Sequence, residues 1–251
     1  IEVTKGSLPI VLGIPHSGTQ LPDNLVDNYT EAAVCLADTD WHIDRLYNGL
    51  GLDLSVVRAD IHRYVIDVDN PPTSAETFPW LSASGLFPLS DRSGSPIYRE
   101  KATPDAAERA RRIEDFHSPY HDAVSAEMKR LKAAFGTALL LDCHSISQFY
   151  PQDEGQKYPD FNIWTNMSKA CAPSIEKAIF TRCRAAEGYE TRLSAGTHGG
   201  WSVLKHGRPA RNMHAVRREL AQQCYMDDAP PWQWRPDKAA PVRSILYRVI
   251  N

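Results

Sequence analysis

Two short, unbroken apolar runs constrain this 251-residue chain more than anything else in it: Leu8-Pro9-Ile10-Val11-Leu12-Gly13-Ile14 and Ala138-Leu139-Leu140-Leu141. Runs of this kind leave no face for solvent, which is the pattern of interior strands in a parallel sheet covered by helices on both sides. Each run ends in a His-bearing tetrapeptide, Pro15-His16-Ser17-Gly18 and Asp142-Cys143-His144-Ser145. Ligands bind beyond the carboxyl ends of strands in open α/β sheets. The two imidazoles are therefore predicted to face one crevice, a candidate metal site.

The rest of the chain alternates strand and helix signals. Further strands are predicted at Leu54–Ala59, Asp160–Thr165 and Glu190–Ser194. Helices are predicted from Ile43 to a stop at Gly51, from Asp105 to Phe135 with Thr103-Pro104 as cap and Pro119 as a break or kink, from about Pro173 to Glu187, and from Asp237 onward. The segment 71–98 is rich in Pro, Ser and Gly, and a loop this long reads as a lid or pocket wall. Everything fits one α/β domain over 1–251.

Composition narrows the partner. Basic residues number 28 against 31 acidic ones, for a net charge of −3, so nothing marks a nucleic-acid or membrane surface. A small-molecule substrate is expected. The five cysteines are scattered and contain no C-x-x-C pair, which disfavours disulfides and Cys-ligated zinc and points to a reducing, cytoplasmic setting. No run approaches the ~20 apolar residues of a membrane span.

A catalytic zinc takes three protein ligands and leaves one position open. His16 and His144 supply two. For the third, Asp40 in Asp38-Thr39-Asp40-Trp41-His42 is preferred, since an acidic residue at a helix start can turn back toward the strand ends; Asp38, His42 and Asp44 are alternatives. Asp142 is placed to orient an imidazole. The competing reading makes the histidines hydrogen-bonded strand ends and the aspartates helix caps.

Six segments occur in the order seen in the N-formylglutamate amidohydrolase family: Pro15-His16-Ser17-Gly18, Asp38-Thr39-Asp40-Trp41-His42, Arg63-Tyr64-Val65-Ile66-Asp67, Asp142-Cys143-His144-Ser145-Ile146, Pro159-Asp160-Phe161-Asn162, and His214-Ala215-Val216 through Glu219-Leu220-Ala221-Gln222 to Tyr225-Met226. The chain resembles that family along nearly its whole length. The resemblance implies a three-layer α/β/α fold with a mostly parallel mixed sheet, like the zinc carboxypeptidases and aspartoacylases. It also implies one zinc, or another divalent metal, on two histidines and a carboxylate. The implied reaction is hydrolysis of an N-formyl amino acid in amino-acid catabolism, such as histidine degradation. Glu219 matches the family's glutamate and is the expected general base and acid on a late strand. Its alternative is a solvated helix residue paired with Arg217 or Arg218.

Arg63 carries the planar fork that binds a carboxylate, on an expected strand end whose alternation sends His62 and Tyr64 to the other face. It is a candidate for the substrate carboxylate, or else for a salt bridge with Asp67 or Asp69. Three positions depart from the family pattern: Asn70 where an arginine is expected, Leu204 likewise, and Arg217-Arg218 in place of Gln-Leu. Arg217, Lys205 or Arg211 can compensate, and Trp201 can meet an aromatic side chain. Two other readings are a deacylase or carboxypeptidase-like enzyme for a larger acyl group, and a catalytically silent metabolite-binding relative.

Overall fold

The computed structural model describes residues 1–72, 85–147, 157–194 and 200–251. Seven strands form one mixed sheet: β1 (Glu2–Thr4), β2 (Ile10–Ile14), β3 (Ser55–Arg58), β4 (Ala138–Ile146), β5 (Phe161–Trp164), β6 (Thr191–Leu193) and β7 (Met213–Ala221). Their spatial order is β1-β3-β2-β4-β7-β5-β6. The central four, β3-β2-β4-β7, are mutually parallel; β1 runs antiparallel to β3 and β5 antiparallel to β7, and β6 runs parallel to β5. From β2 the chain moves to β3 on one side and later to β4 on the other. Sequence reversal of this kind opens a crevice at the strand ends, here between the ends that carry His16 and His144.

The helices are α1 (Asp23–Val26), α2 (Glu31–Val34), α3 (Ile43–Tyr47), α4 (Ala106–Arg112), α5 (Ser118–Phe135), α6 (Pro173–Arg184), α7 (Trp201–His206) and α8 (Pro236–Ile250). They cover both faces of the sheet. On what we term the back face, Leu12, Ile14, Leu141, Cys143, Val216 and Leu220 pack with Leu46 of α3, Ile179 of α6 and Val242 of α8. On the front face, Val11, Val57, Leu140 and Ala215 pack with Tyr120, Val124 and Leu131 of α5 and Val203 of α7. Period-2 alternation along each strand sorts the two sets.

Most predicted elements are found near their expected places. The differences have physical causes. Asp105, not Thr103, caps α4, its carboxylate accepting the Glu108 N–H at 2.8 Å. Pro119 does not break the helix, because a π-helical segment at Ile113–His117 resets the hydrogen-bond ladder and leaves Pro119 in the first turn of α5. The helix after Pro173 ends at Arg184, short of Glu187. β7 and α7 lack a sequence signal of their own, since Arg217, Arg218 and Glu219 interrupt any apolar run. Of the long loop expected over 71–98, residues 73–84 lie outside the described set; in the described remainder, Leu86 and Phe87 pack on the front-face core. All five cysteines are free. Among the described residues no helix is long and apolar enough to cross a membrane.

Candidate metal centre and active site

β2 ends at Ile14 and delivers His16 two residues later; β4 carries His144 near its end; the loop before α3 brings Asp40 between them. Each is at most 3% exposed, and one ligand atom from each lies within 4.8 Å of the others. Asp40 Oδ2 stands 3.3 Å from His144 Nδ1 and 3.8 Å from His16 Nδ1. Three donors at about 2.1 Å from a tetrahedral ion are about 3.4 Å apart. Buried His16 Nδ1 and Asp40 Oδ2 make no hydrogen bond, although both point toward the space that His144 Nδ1 also faces. Two imidazoles and a carboxylate so arranged fit a divalent cation. The other three candidates for this position are engaged elsewhere. Asp38 accepts the Arg92 N–H at 3.0 Å, His42 Nε2 pairs with the Trp232 carbonyl at 2.9 Å, and Asp44 lines a groove beside Glu2 and Arg58.

The far nitrogen of each imidazole meets a carboxylate. His16 Nε2 lies 2.7 Å from Asp67 Oδ1, and His144 Nε2 lies 3.0 Å from Asp142 Oδ2. These contacts fix both rings with Nδ1 directed inward. Asp142 thus has the orienting position expected of it, and Asp67, expected only as a salt-bridge partner of Arg63, is a second such residue. Asp69 Oδ2 is 3.6 Å from His144 Nε2, so Asp69, Asp142 and His144 form a second close group. Arg217 supplies positive charge beside this group, with Nη1 2.6 Å from Asp69 Oδ2.

Burial and charge shift these groups strongly. Desolvation, reinforced by Arg63, lowers His16 to about 4 despite Asp67. His144 goes the other way: burial and Arg217 oppose its charge, but Asp142 and Asp40 prevail and raise it to about 9. Burial and the neighbouring Asp142 carboxylate push Asp69 up to about 6. Five buried carboxylates, Asp40, Asp67, Asp69, Asp142 and Glu219, face two guanidiniums, Arg63 and Arg217. The excess of negative charge attracts a cation.

Glu219 is no solvated helix residue. It is 2% exposed on β7 and pairs in register with His144, so the two side chains share the front face. Its Oε1 accepts from Arg217 Nη2 at 3.1 Å and its Oε2 from Asn162 Nδ2 at 3.5 Å. Arg217 therefore bridges Glu219 and Asp69, leaving Nε without a hydrogen bond. Arg218 points to the back face, where its guanidinium donates to the Tyr47 hydroxyl. Arg63 lies in a turn, not at a strand end, so no strand alternation sorts its neighbours, although the rings of His62 and Tyr64 still meet edge to face at 4.2 Å. Arg63 Nη2 donates to Asp67 Oδ2 at 2.5 Å, while buried Nη1 makes no hydrogen bond. Trp201 begins α7 and is half-buried. Asp69 also receives the Ser202 N–H at 3.0 Å, so close to the chain that a Cβ on Gly200 would fall 1.9 Å from its Oδ2.

Three buried histidines behind the site escaped the sequence reading. His121 Nε2 donates to the Val68 carbonyl and His117 Nε2 to the Asn70 carbonyl, both at 2.8 Å, so the carbonyls flanking Asp69 are both held. With Nε2 donating, His121 Nδ1 accepts from His206 Nε2 at 3.1 Å. The i, i+4 spacing of His117 and His121 in a helical run was the available signal.

Comparison with known proteins points to one family. The family model described as N-formylglutamate amidohydrolase matches residues 8–226. The chain is 37% identical to the N-formylglutamate deformylase of Pseudomonas aeruginosa, covering 100% of this chain and 94% of that protein. It is 36% identical to the N-formylglutamate deformylase of Pseudomonas putida, over 98% and 92%. The fold superposes on the crystal structure of an N-formylglutamate amidohydrolase from Ralstonia eutropha JMP134 with a TM-score of 0.83 at 21% identity, covering 99% of this chain and 94% of the other.

Proposed function

We propose that this chain, which belongs to the N-formylglutamate amidohydrolase family, hydrolyses the formamide of a small N-formyl amino acid such as N-formylglutamate. Water adds across the C–N bond, its oxygen to the formyl carbon and a proton to the leaving nitrogen, releasing formate and the free amino acid. The observation that carries this reading is the convergence of His16, Asp40 and His144 beside the in-register Glu219. Held by those three residues, a zinc ion would polarise the acyl oxygen and acidify a water near neutral pH.

The protein's own groups do the rest. Glu219 takes a proton from the attacking water and hands it to the amide nitrogen; a carboxylate with two oxygens and one donor on each retains lone pairs for this. Arg217 fixes the Glu219 rotamer and keeps Nε as a donor toward substrate. Arg63 offers Nη1 to the substrate carboxylate while Asp67 anchors Nη2. Trp201 forms a wall for the substrate side chain. The free thiols support a reducing, cytoplasmic location, and the reaction belongs to amino-acid breakdown.

Formate release from N-formyl-glutamate, -aspartate, -histidine, -methionine and -phenylalanine tests this, with zinc-replete and chelated protein. Turnover lost on chelation and in His144→Ala is expected. Absence of formate from every substrate, with zinc bound, would point to a larger acyl group or a silent binding protein.

A further inference from the structure

Asp40 differs from the two histidines in how it is supported. His144 belongs to a strand and His16 follows one closely, whereas Asp40 sits in a loop, where its N–H donates to the His16 carbonyl at 2.9 Å and its carbonyl accepts the Ile43 N–H at 3.3 Å. The peptides on either side of it have to be held from elsewhere in the chain. The turn after β7, Gln222–Cys224, and the following Tyr225 do this. Gln222 Nε2 donates to the Thr39 carbonyl at 3.1 Å, and Tyr225 Oη donates to the Trp41 carbonyl at 2.9 Å. These are the two carbonyls flanking Asp40. Gln222 also reaches Ser145 Oγ at 3.2 Å, next to His144. Both side chains are buried, 5% and 0% exposed. One short segment, three residues past Glu219, thus touches the neighbours of two metal-binding side chains.

We infer that Gln222 and Tyr225 are positioning residues that clamp the Asp40 loop and so set metal affinity. This rests on the metal reading above. Neither residue touches the metal group, and their effect runs through the backbone on either side of Asp40.

The test is zinc affinity by chelator competition, with the absorption spectrum of the cobalt-loaded protein, for the wild type, Gln222→Met, Tyr225→Phe and Asp40→Asn. Leu246→Ala, in the α8 core, serves as a destabilised control far from the loop. The clamp predicts a roughly 10- to 100-fold loss of zinc affinity in both clamp variants, a cobalt spectrum moved toward that of Asp40→Asn, and formate release restored by excess zinc. Leu246→Ala keeps wild-type affinity. If Gln222→Met does not fold, Tyr225→Phe, which removes one oxygen, carries the test. Wild-type affinity and spectra in the clamp variants overturn the clamp alone. Failure of the wild type to bind zinc, or unchanged affinity in Asp40→Asn, overturns the metal reading and the clamp with it.

Discussion

The two faces of one sheet are put to opposite uses. Toward the carboxyl ends of β4 and β7 the back face reads Leu141, Cys143, Val216 and Leu220, with Arg218 held by Tyr47, and the front face, beyond the core residues Leu140 and Ala215, reads Asp142, His144, Arg217 and Glu219. The same backbone, with the same register, builds a mainly hydrophobic core on one side and a dense charged site on the other. At these positions parity separates them, since a strand turns successive side chains to opposite faces. Stability and chemistry can therefore be changed nearly independently by substitutions one residue apart.

The sharpest way to break that comparison is on the front face. Glu219→Gln keeps size and burial but removes the base, and a loss of about 10²- to 10⁴-fold in kcat is expected with an unchanged melting temperature. A matching loss of stability would show that Glu219 serves the fold. On the back face, Leu12→Ala should cost about 2–5 kcal/mol in urea unfolding and leave kcat/KM of the folded protein close to wild type; a large kcat effect would show that the faces are coupled. Asp67→Asn sharpens the front-face picture: removing the carboxylate behind His16 should weaken zinc binding about 10- to 100-fold, read by equilibrium competition.

The smallest effect is the pH dependence of the front-face histidines. Burial lowers His206 to about 3, so below the ordinary value of 6.5 the unfolded chain takes up a proton that the folded one refuses. Stability attached to this group is full above pH 6.5 and falls as pH drops toward 3. Between pH 6.5 and 5.5 the loss is roughly 1 kcal/mol for one such histidine. His206→Gln should flatten the urea midpoint against pH in that interval by this amount, and an unaltered slope would assign the dependence to other groups.

Much of this was legible in the residues, for reasons that also explain what was not. β2 and β4 announce themselves because strands buried on both faces need unbroken apolar runs. β7 is equally buried but carries Arg217, Arg218 and Glu219 in its middle, so the charges that matter for the site hid the strand that holds them. His16, Asp40 and His144 were visible as a set because each adjoins an element boundary. The partners behind them were not. Asp67 approaches His16 across 51 residues of sequence, and His121 reaches Val68 across 53, distances over which no local pattern speaks. Arg63 was visible as a fork, but its turn conformation was not, because Val65-Ile66 reads as strand.

The nine-residue ladder between β4 and β7 has a consequence for time as well as place. Amides in the centre of such a ladder exchange with solvent only on global opening, whereas a loop held by two side chains opens at a fraction of that free energy. His144 and Glu219 therefore stay together for as long as the molecule is folded, and the Asp40 loop is the part of the group free to part from them first.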